Sequence, residues 1–293
     1  MKASELILNA DGSIYHLQLL PEDLAKHVIT VGDPDRAIQI GRRLDRIEVQ
    51  KQKREFLTLT GFYKDLKLTV ISTGIGTDNI DIVFNELDAL WNIDLQSRRI
   101  RDTLTSAKML RLGTTGSLQE DILVDRLIFS QYALGADGLM EYYQRKEHVE
   151  LDALESAFQS FASNQQALPS FVYGAAASPS ILPHLPSDIY KGITLTAKGF
   201  YAPQGRNLGR LKPLMPNLVD LLSSFTFQGI QLTNMEMETA GILGLGGALG
   251  HEVASLSVAL ANRKSGHFST DSQAAIDRLI EEGLEVMYKW SQE

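Results

Sequence analysis

Met109-Leu110-Arg111-Leu112-Gly113-Thr114-Thr115-Gly116 passes from a short apolar run into a turn with one guanidinium, two hydroxyls and two glycines. Arginine offers a planar fork of donors to phosphate oxygens, threonine hydroxyls add more, and glycine lets backbone N–H groups approach closely. The combination suits an oxyanion at the exit of a strand. It suits an ordinary strand-leaving turn as well, so its meaning depends on the rest of the chain. A similar segment lies upstream. His27-Val28-Ile29-Thr30 reads as a strand, and Val31-Gly32-Asp33-Pro34-Asp35-Arg36 turns into a helix-like pattern through Leu44. The positive dipole end of that helix would add to the charge of Arg36. A capped helix with a solvated Arg36 is the plainer reading of that stretch taken alone.

Val70-Ile71-Ser72-Thr73 runs into a third glycine turn, Gly74-Ile75-Gly76. It lacks the three spaced glycines and the later acid of a dinucleotide fingerprint, so a Rossmann cofactor has little support. A tight turn into a helix near Asn79 accounts for it, as does a further wall of an anion pocket. Ligands of open α/β sheets sit beyond the carboxyl ends of strands, where the three glycine turns would converge.

With 293 residues, 44% hydrophobic and 22% charged, the chain is long enough for one large core or two modest domains. A formal charge of −8 argues against a general nucleic-acid binder, while leaving room for a local arginine pocket that takes a small anion. The absence of cysteine excludes disulfides, thiolate metal sites and a cysteine nucleophile. No apolar run approaches the roughly 20 residues that span a bilayer, and Met1-Lys2-Ala3-Ser4-Glu5 does not read as a signal peptide. A cytoplasmic protein without membrane or nucleic-acid partners is expected.

β-rich runs alternate with helical patterns, which predicts an α/β architecture. Strands are expected near His27–Val31, Phe56–Tyr63, Leu66–Thr73, Met109–Gly113, Asp125–Tyr132, Phe171–Ala177, Ile193–Lys198, Ile230–Thr233 and Val253–Ala261. Helices are expected near Asp35–Leu44, Asn79–Trp91, Leu151–Ser163, Met237–Gly250 and Ser272–Gln292. The last carries Ile276, Leu279, Ile280, Leu284, Met287 and Tyr288 at helical spacing and should pack on the core. Neither a linker composition nor a repeat marks a boundary, so residues 1–293 read as a single domain. The charged stretch Asn92–Ser106 reads as an insertion loop or an exposed helix extension.

Asn234-Met235-Glu236-Met237-Glu238-Thr239-Ala240 places two carboxylates just after a strand and just before a helix of small residues. Acids there complement the helix dipole. A buried carboxylate beside methionine also suits a sugar, with Glu binding hydroxyl pairs and Met packing on the ring.

Together these residues resemble the nucleoside phosphorylase-I family, most closely its uridine phosphorylase branch, over most of the chain. The family's Gly-Asp-Pro-Asp-Arg stands at Gly32 to Arg36, its Arg-Glu-Phe at Arg54-Glu55-Phe56, and its Ser-Thr-Gly-Ile-Gly at Ser72 to Gly76. Its Arg-Ile-Gly-Thr-Thr-Gly stands at Arg111 to Gly116, with Leu112 in the Ile position, and its Glu-Met-Glu at Glu236 to Glu238. A sixth motif reads uracil in that branch, and it is present as Phe200-Tyr201-Ala202-Pro203-Gln204-Gly205-Arg206. An isolated Gln-x-Arg would be surface polarity; its place in the family's order is what gives it meaning. Purine-specific relatives tend to carry an Asp after the last core strand, whereas this chain has Leu260-Ala261-Asn262-Arg263.

The resemblance implies a central mixed, twisted sheet, partly barrel-like and flanked by helices. It implies the reaction of uridine with phosphate to give uracil and ribose 1-phosphate, with no covalent enzyme intermediate. Gly32, Arg36, Arg111, Thr114 and, from a neighbouring subunit, Arg54 would hold phosphate. Thr114, Met237, Glu238 and a neighbour's His16 would hold ribose. Phe200, Gln204, Arg206 and Glu236 would face the base, so Arg111, Arg206 and Glu238 would be the catalytic groups. It implies a homodimer with shared active sites, which in this branch often assembles further into a hexamer as a trimer of dimers. No organic cofactor is expected, and phosphate is a co-substrate. A monovalent cation such as K+ would sit near Glu55 and Ile75, a site put in question by Thr77-Asp78-Asn79, which replaces a smaller Gly-Pro-Ser-like segment. Pro203 stands where Gly is usual, Met235 where Tyr is usual, and residues 92–107 lengthen a short connection; these changes bear on base-pocket breadth, on assembly, or on neither. The rival readings are a phosphorylase or nucleosidase for thymidine, deoxyuridine or a purine nucleoside, and a non-catalytic nucleoside-binding protein.

Overall fold

The computed structural model describes residues 1–163 and 172–293. Its strands are β1 (His27–Val31), β2 (Arg46–Lys53), β3 (Phe56–Tyr63), β4 (Leu66–Ser72), β5 (Ile93–Asp94), β6 (Arg99–Ile100) and β7 (Lys108–Ser117). They continue as β8 (Leu127–Gly135), β9 (Tyr173–Ala176), β10 (Tyr190–Thr196), β11 (Thr226–Phe227), β12 (Ile230–Glu236) and β13 (Glu252–Asn262). The α-helices are α1 (Pro34–Gly41), α2 (Thr77–Asn92), α3 (Val149–Ser163), α4 (Leu218–Ser223), α5 (Thr239–Ala248) and α6 (Ser272–Trp290).

Strands β12, β10, β8, β13 and β7 lie side by side, and β12 pairs back onto β7 through Asn234 with Ser117 and Met235 with Gly116. That last antiparallel pairing closes a five-stranded ring and makes this part of the sheet barrel-like. From β7 the sheet continues open through β1, β4, β3 and β2. Parallel pairing of β1 with both β4 and β7 points the exits of all three strands the same way, which brings Gly32, Gly74 and the end of β7 together. These strands are buried on both faces and read as near-continuous apolar runs, as parallel strands between helix layers do.

One face of the sheet is covered by α2 and α5, with Phe84, Leu87 and Leu243 in the core, and another by α1 and α6, with Leu279, Leu284 and Trp290. The amphipathic stripe of α6 buries Leu279, Ile280, Leu284 and Met287 as its spacing predicts. Trp290 is fully buried, and its indole N–H donates to Ser180 Oγ at 2.9 Å.

Several boundaries differ from the sequence expectation for local reasons. β8 starts at Leu127 instead of Asp125, because Asp125 turns with φ of 66°. β9 begins at Tyr173; Phe171, the expected start, lies outside the described residues. α5 begins at Thr239, since Glu238 is its N-cap. Residues 92–107 are not a helix extension. α2 ends at Asn92, whose side chain holds Thr105 through Nδ2 to its carbonyl (3.1 Å) and Oδ1 from its N–H (2.7 Å), and the segment between forms the hairpin of β5 and β6. β2 was not expected at all. It is an exposed edge strand rich in charge, which blocks edge-to-edge pairing and hides the apolar alternation. Among the described residues no helix is long and apolar enough to cross a membrane.

Trp290→Ala should cost about 3–5 kcal/mol through the cavity it leaves. Thermal or denaturant unfolding of the variant beside the wild type measures it; an unchanged midpoint would show that α6 does not anchor the core.

Candidate active site

β7 delivers the central group. Arg111 lies within the strand and folds its guanidinium over Gly113, so closely that a Cβ at Gly113 would lie 1.6 Å from Nη1. Only glycine fits there. Arg111 is 5% exposed and its partners come from three directions: Nη1 donates to Ser257 Oγ of β13 (3.2 Å), and Nη2 donates to Glu238 Oε2 (2.6 Å) with Glu236 Oε2 at 3.1 Å. Burial works against its charge, but the two carboxylates outweigh burial and raise its pKa.

Glu238 is 6% exposed and receives a second hydrogen bond, from the Gly76 N–H to Oε1 at 2.7 Å. Gly76 has φ of 91°, the left-handed backbone that aims this N–H away from α2, which starts at the next residue. Burial first, and the neighbouring Glu236 charge as well, push the Glu238 carboxyl upward, while Arg111 opposes them.

Glu236 is 5% exposed, and its partners are all protein groups. Oε1 accepts from Thr196 Oγ1 (2.7 Å) and the Thr239 N–H (3.0 Å), and Oε2 accepts from the N–H groups of Glu238 and Thr239 (both 2.9 Å). The dipole-complementing role expected of an acid at this helix start is thus taken by Glu236.

Asp33 caps α1 by accepting the Asp35 N–H at 2.9 Å, with Pro34 in the first turn. This helix start carries Arg36, whose Nη1 reaches Leu112 O at 3.5 Å and whose buried Nε has no partner among the described residues. Burial, and then repulsion from Arg111, lower its pKa. An anion bound to both guanidiniums would relieve their mutual repulsion, so the pair suits an oxyanion such as phosphate.

The cavity that these groups line has a volume of about 820 Å³. Gly32, Arg36, Arg111, Thr114, Met237 and Glu238 line it, together with Phe200, Gln204, Arg206 and Glu236. Pro203 is the second residue of the one-turn helix Ala202–Gln204, in which Gln204 is buried. Gln204 Oε1 accepts from Arg206 Nη1 at 2.6 Å, and the Arg206 guanidinium lies 3.7 Å from the Phe200 ring centre. Burial, and then the nearby Arg263, push Arg206 down to about 10, which leaves it cationic at neutral pH.

Two expected residues lie elsewhere on this chain. Arg54 is exposed on the turn between β2 and β3 with φ of 55°, and His16 is bound to Glu86 of α2, Nδ1 to Oε1 at 2.6 Å. Neither lines the cavity. Glu55 and Ile75 do line it, and Asn79 Nδ2 donates to Glu55 Oε1 at 3.2 Å. Asp78 is exposed in the first turn of α2 and does not line the cavity, so the acid expected near the phosphate turns faces solvent.

The sequence reading also missed residues. Leu260, Ala261 and Phe268 form much of the apolar wall, beside Met235, the residue that stands where Tyr is usual. Arg263 braces the Gln204 side of the cavity: Nη2 donates to the Gln204 carbonyl at 3.0 Å, its stem packs against Gly116, and its buried Nη1 has no partner among the described residues. The stretch Leu260 to Arg263 was read for the lack of an acid; the arginine next to it was the signal.

A model of the phosphorylase superfamily matches residues 26–287. The chain is 28% identical to the uridine phosphorylase of Thermococcus kodakarensis over 97% of its own length and 90% of that protein's. It is 24% identical to a DeoD-type purine nucleoside phosphorylase of Streptococcus suis, over 93% of this chain and 98% of the other. Trypanosoma brucei nucleoside phosphorylase, whose crystal structure is described as showing uridine phosphorylase activity, superposes with a TM-score of 0.86 at 29% identity, over 97% and 99% of the two chains. With its closed five-stranded ring, its paired arginines and its buried Glu-Met-Glu turn, this chain belongs to the phosphorylase superfamily and is a nucleoside phosphorylase, a pentosyltransferase.

Proposed function

We propose that this nucleoside phosphorylase acts on uridine, converting uridine and phosphate to uracil and ribose 1-phosphate. The observation that carries this reading is the joined pair of Gln204 and Arg206 over Phe200, in the same cavity as Arg111 and Glu238. An amide and a guanidinium offer donors and an acceptor to the imide edge of uracil. A guanidinium also stabilises the negative charge that the departing base acquires. β13 ends at Asn262 and the chain continues as Arg263-Lys264, with no Asp at this turn to protonate a purine ring.

In this reading Gly32, Arg36, Arg111 and Thr114 hold the phosphate, whose oxygen attacks the anomeric carbon as the bond to the base breaks. Met237 and Glu238 hold the ribose as it gains positive character. Positioning and charge stabilisation carry the rate, without a covalent enzyme intermediate.

Charge counting supports a shared site. The cavity lining has three cations, Arg36, Arg111 and Arg206, against four acids, Asp33, Glu55, Glu236 and Glu238, so its formal charge is −1 before a phosphate dianion enters. Arg54, exposed on this chain, would bring a further cation from a second subunit, and His16 would come from the same surface. Glu55 and backbone oxygens near Ile75 would hold a monovalent cation, for which a carboxylate and carbonyls are suitable hard ligands and which would add one more positive charge.

Ultraviolet-monitored cleavage of uridine, with thymidine and inosine in parallel, should release uracil only when phosphate is added. Cleavage without phosphate, or faster cleavage of inosine, overturns the assignment. Arg206→Ala should lower kcat/KM for uridine roughly ten- to a hundredfold, the worth of a charged hydrogen bond, while leaving the KM for phosphate unchanged.

Arg54→Ala and Glu238→Ala should each be nearly inactive. Co-expressed, they should recover roughly a quarter of wild-type activity, since half of randomly paired dimers would hold one intact shared site. Recovery of nothing would place Arg54 in its own subunit's site.

A further inference from the structure

We propose that Glu236 is a positioning residue, which sets the phosphate-side Arg111 and the ribose-side Glu238 at once and does not read the base. This rests on the phosphorylase reading of the cavity, and not on uridine as the substrate.

A carboxylate has about four acceptor positions. Those of Glu236 are filled by the Thr196 hydroxyl, the Glu238 and Thr239 N–H groups and Arg111 Nη2, which leaves none for a base N–H. Its partners also form a frame. Thr196, on β10, accepts the Ala240 N–H at 2.8 Å while donating to Glu236, so β10, β12 and the start of α5 are tied through one side chain. The Glu238 N–H bound by Glu236 fixes the backbone from which the Glu238 carboxylate reaches Arg111 and Gly76.

The geometry has an electrostatic consequence. Glu236 and Glu238 both lie against the same nitrogen of Arg111, at 3.1 and 2.6 Å. The charges facing Glu238 are Arg111 from β7, Glu236 from β12 and, farther off, Arg36 from α1; α2 presents the Gly76 N–H. Glu236 therefore raises the affinity of Glu238 for a proton, while Arg111 lowers it. If ribose binding uses ionised Glu238, kcat/KM falls as pH drops through the Glu238 ionisation, and removing the Glu236 charge moves that fall to lower pH.

Glu236→Gln keeps one acceptor oxygen for the helix start and removes the charge. Its kcat/KM profile against pH, at saturating phosphate and with uridine and inosine run in parallel, is compared with that of the wild type. Phosphate's own titration is common to both enzymes and drops out of the difference. The proposal expects an acid limb displaced to lower pH, a loss of about tenfold or more at neutral pH, and an unchanged ratio between the two nucleosides. An unmoved limb with only a lower melting temperature would make Glu236 a helix cap and nothing more. A changed uridine-to-inosine ratio would make it a base reader. Should Glu236→Gln not fold, Glu236→Asp keeps the charge on a shorter arm. It should keep the wild-type acid limb while losing activity, and wild-type activity in that variant would overturn the proposal. A wild type that prefers inosine overturns the uridine assignment and leaves this comparison intact.

Discussion

The buried contact of Arg111 with Glu236 and Glu238 is the constraint around which the site is organised. A guanidinium inside a sheet loses its hydration, and only close acceptors, here two carboxylates and the Ser257 hydroxyl, offset that cost. Each partner then imposes a demand of its own. Gly113 must lack a side chain for Arg111 to fold over it, Gly76 must adopt a left-handed backbone to reach Glu238, and α5 must begin where Glu236 can cap it. The elements that meet there are β7, β12, β13, α2 and α5. A change at any one of them is felt at the anion-binding groups.

The fold places these demands within reach of one another. Closing β12 onto β7 brings the Glu-Met-Glu turn against the Arg111 strand, although some 120 residues of chain separate them. The open half of the sheet contributes something different. Its parallel strands β1 and β4 add the Gly32 and Gly74 turns at the same end, so the groups proposed for phosphate and sugar stand on sheet strands and the turns that leave them. The groups assigned to the base, Phe200, Gln204 and Arg206, stand instead on a connecting segment stiffened by Pro203. Rigid elements under the shared chemistry and a loop under the variable part is how one scaffold serves nucleosides with different bases.

Much of the framework was legible because burial writes itself into periodicity. His27–Val31 and Phe56–Tyr63 read as strands at their observed boundaries, and α6 showed its stripe. β2 escaped because an edge strand must be charged. The hairpin of residues 92–107 escaped because two-residue strands carry no period, and what fixes them is the side chain of Asn92. The arginines and acids of the site were also visible as residue types beside glycine turns. The wall residues Leu260 and Phe268 were not, since nothing local distinguishes a wall residue from a core residue.

By itself the sequence determined the α/β class, the glycine turns after β1 and β4 and the cast of arginines, threonines and acids that suit phosphate and a sugar. These are local properties: a turn needs glycine, a buried strand needs an apolar run, a phosphate needs donors. Gly113 to Gly116, expected as a third turn, instead continue β7 to Ser117, because pairing with β13 and β12 holds them in the sheet. Tertiary structure alone decided which acid does what. Glu236 and Glu238 are two residues apart, chemically identical and both on the cavity wall, yet Glu236 is held by Thr196 and the start of α5 while Glu238 is held by the Gly76 N–H, because the ring closure brings Arg111 against both. It also decided that Arg54 and His16 stand apart from their own chain's cavity, since no spacing in a sequence records which way a folded surface faces.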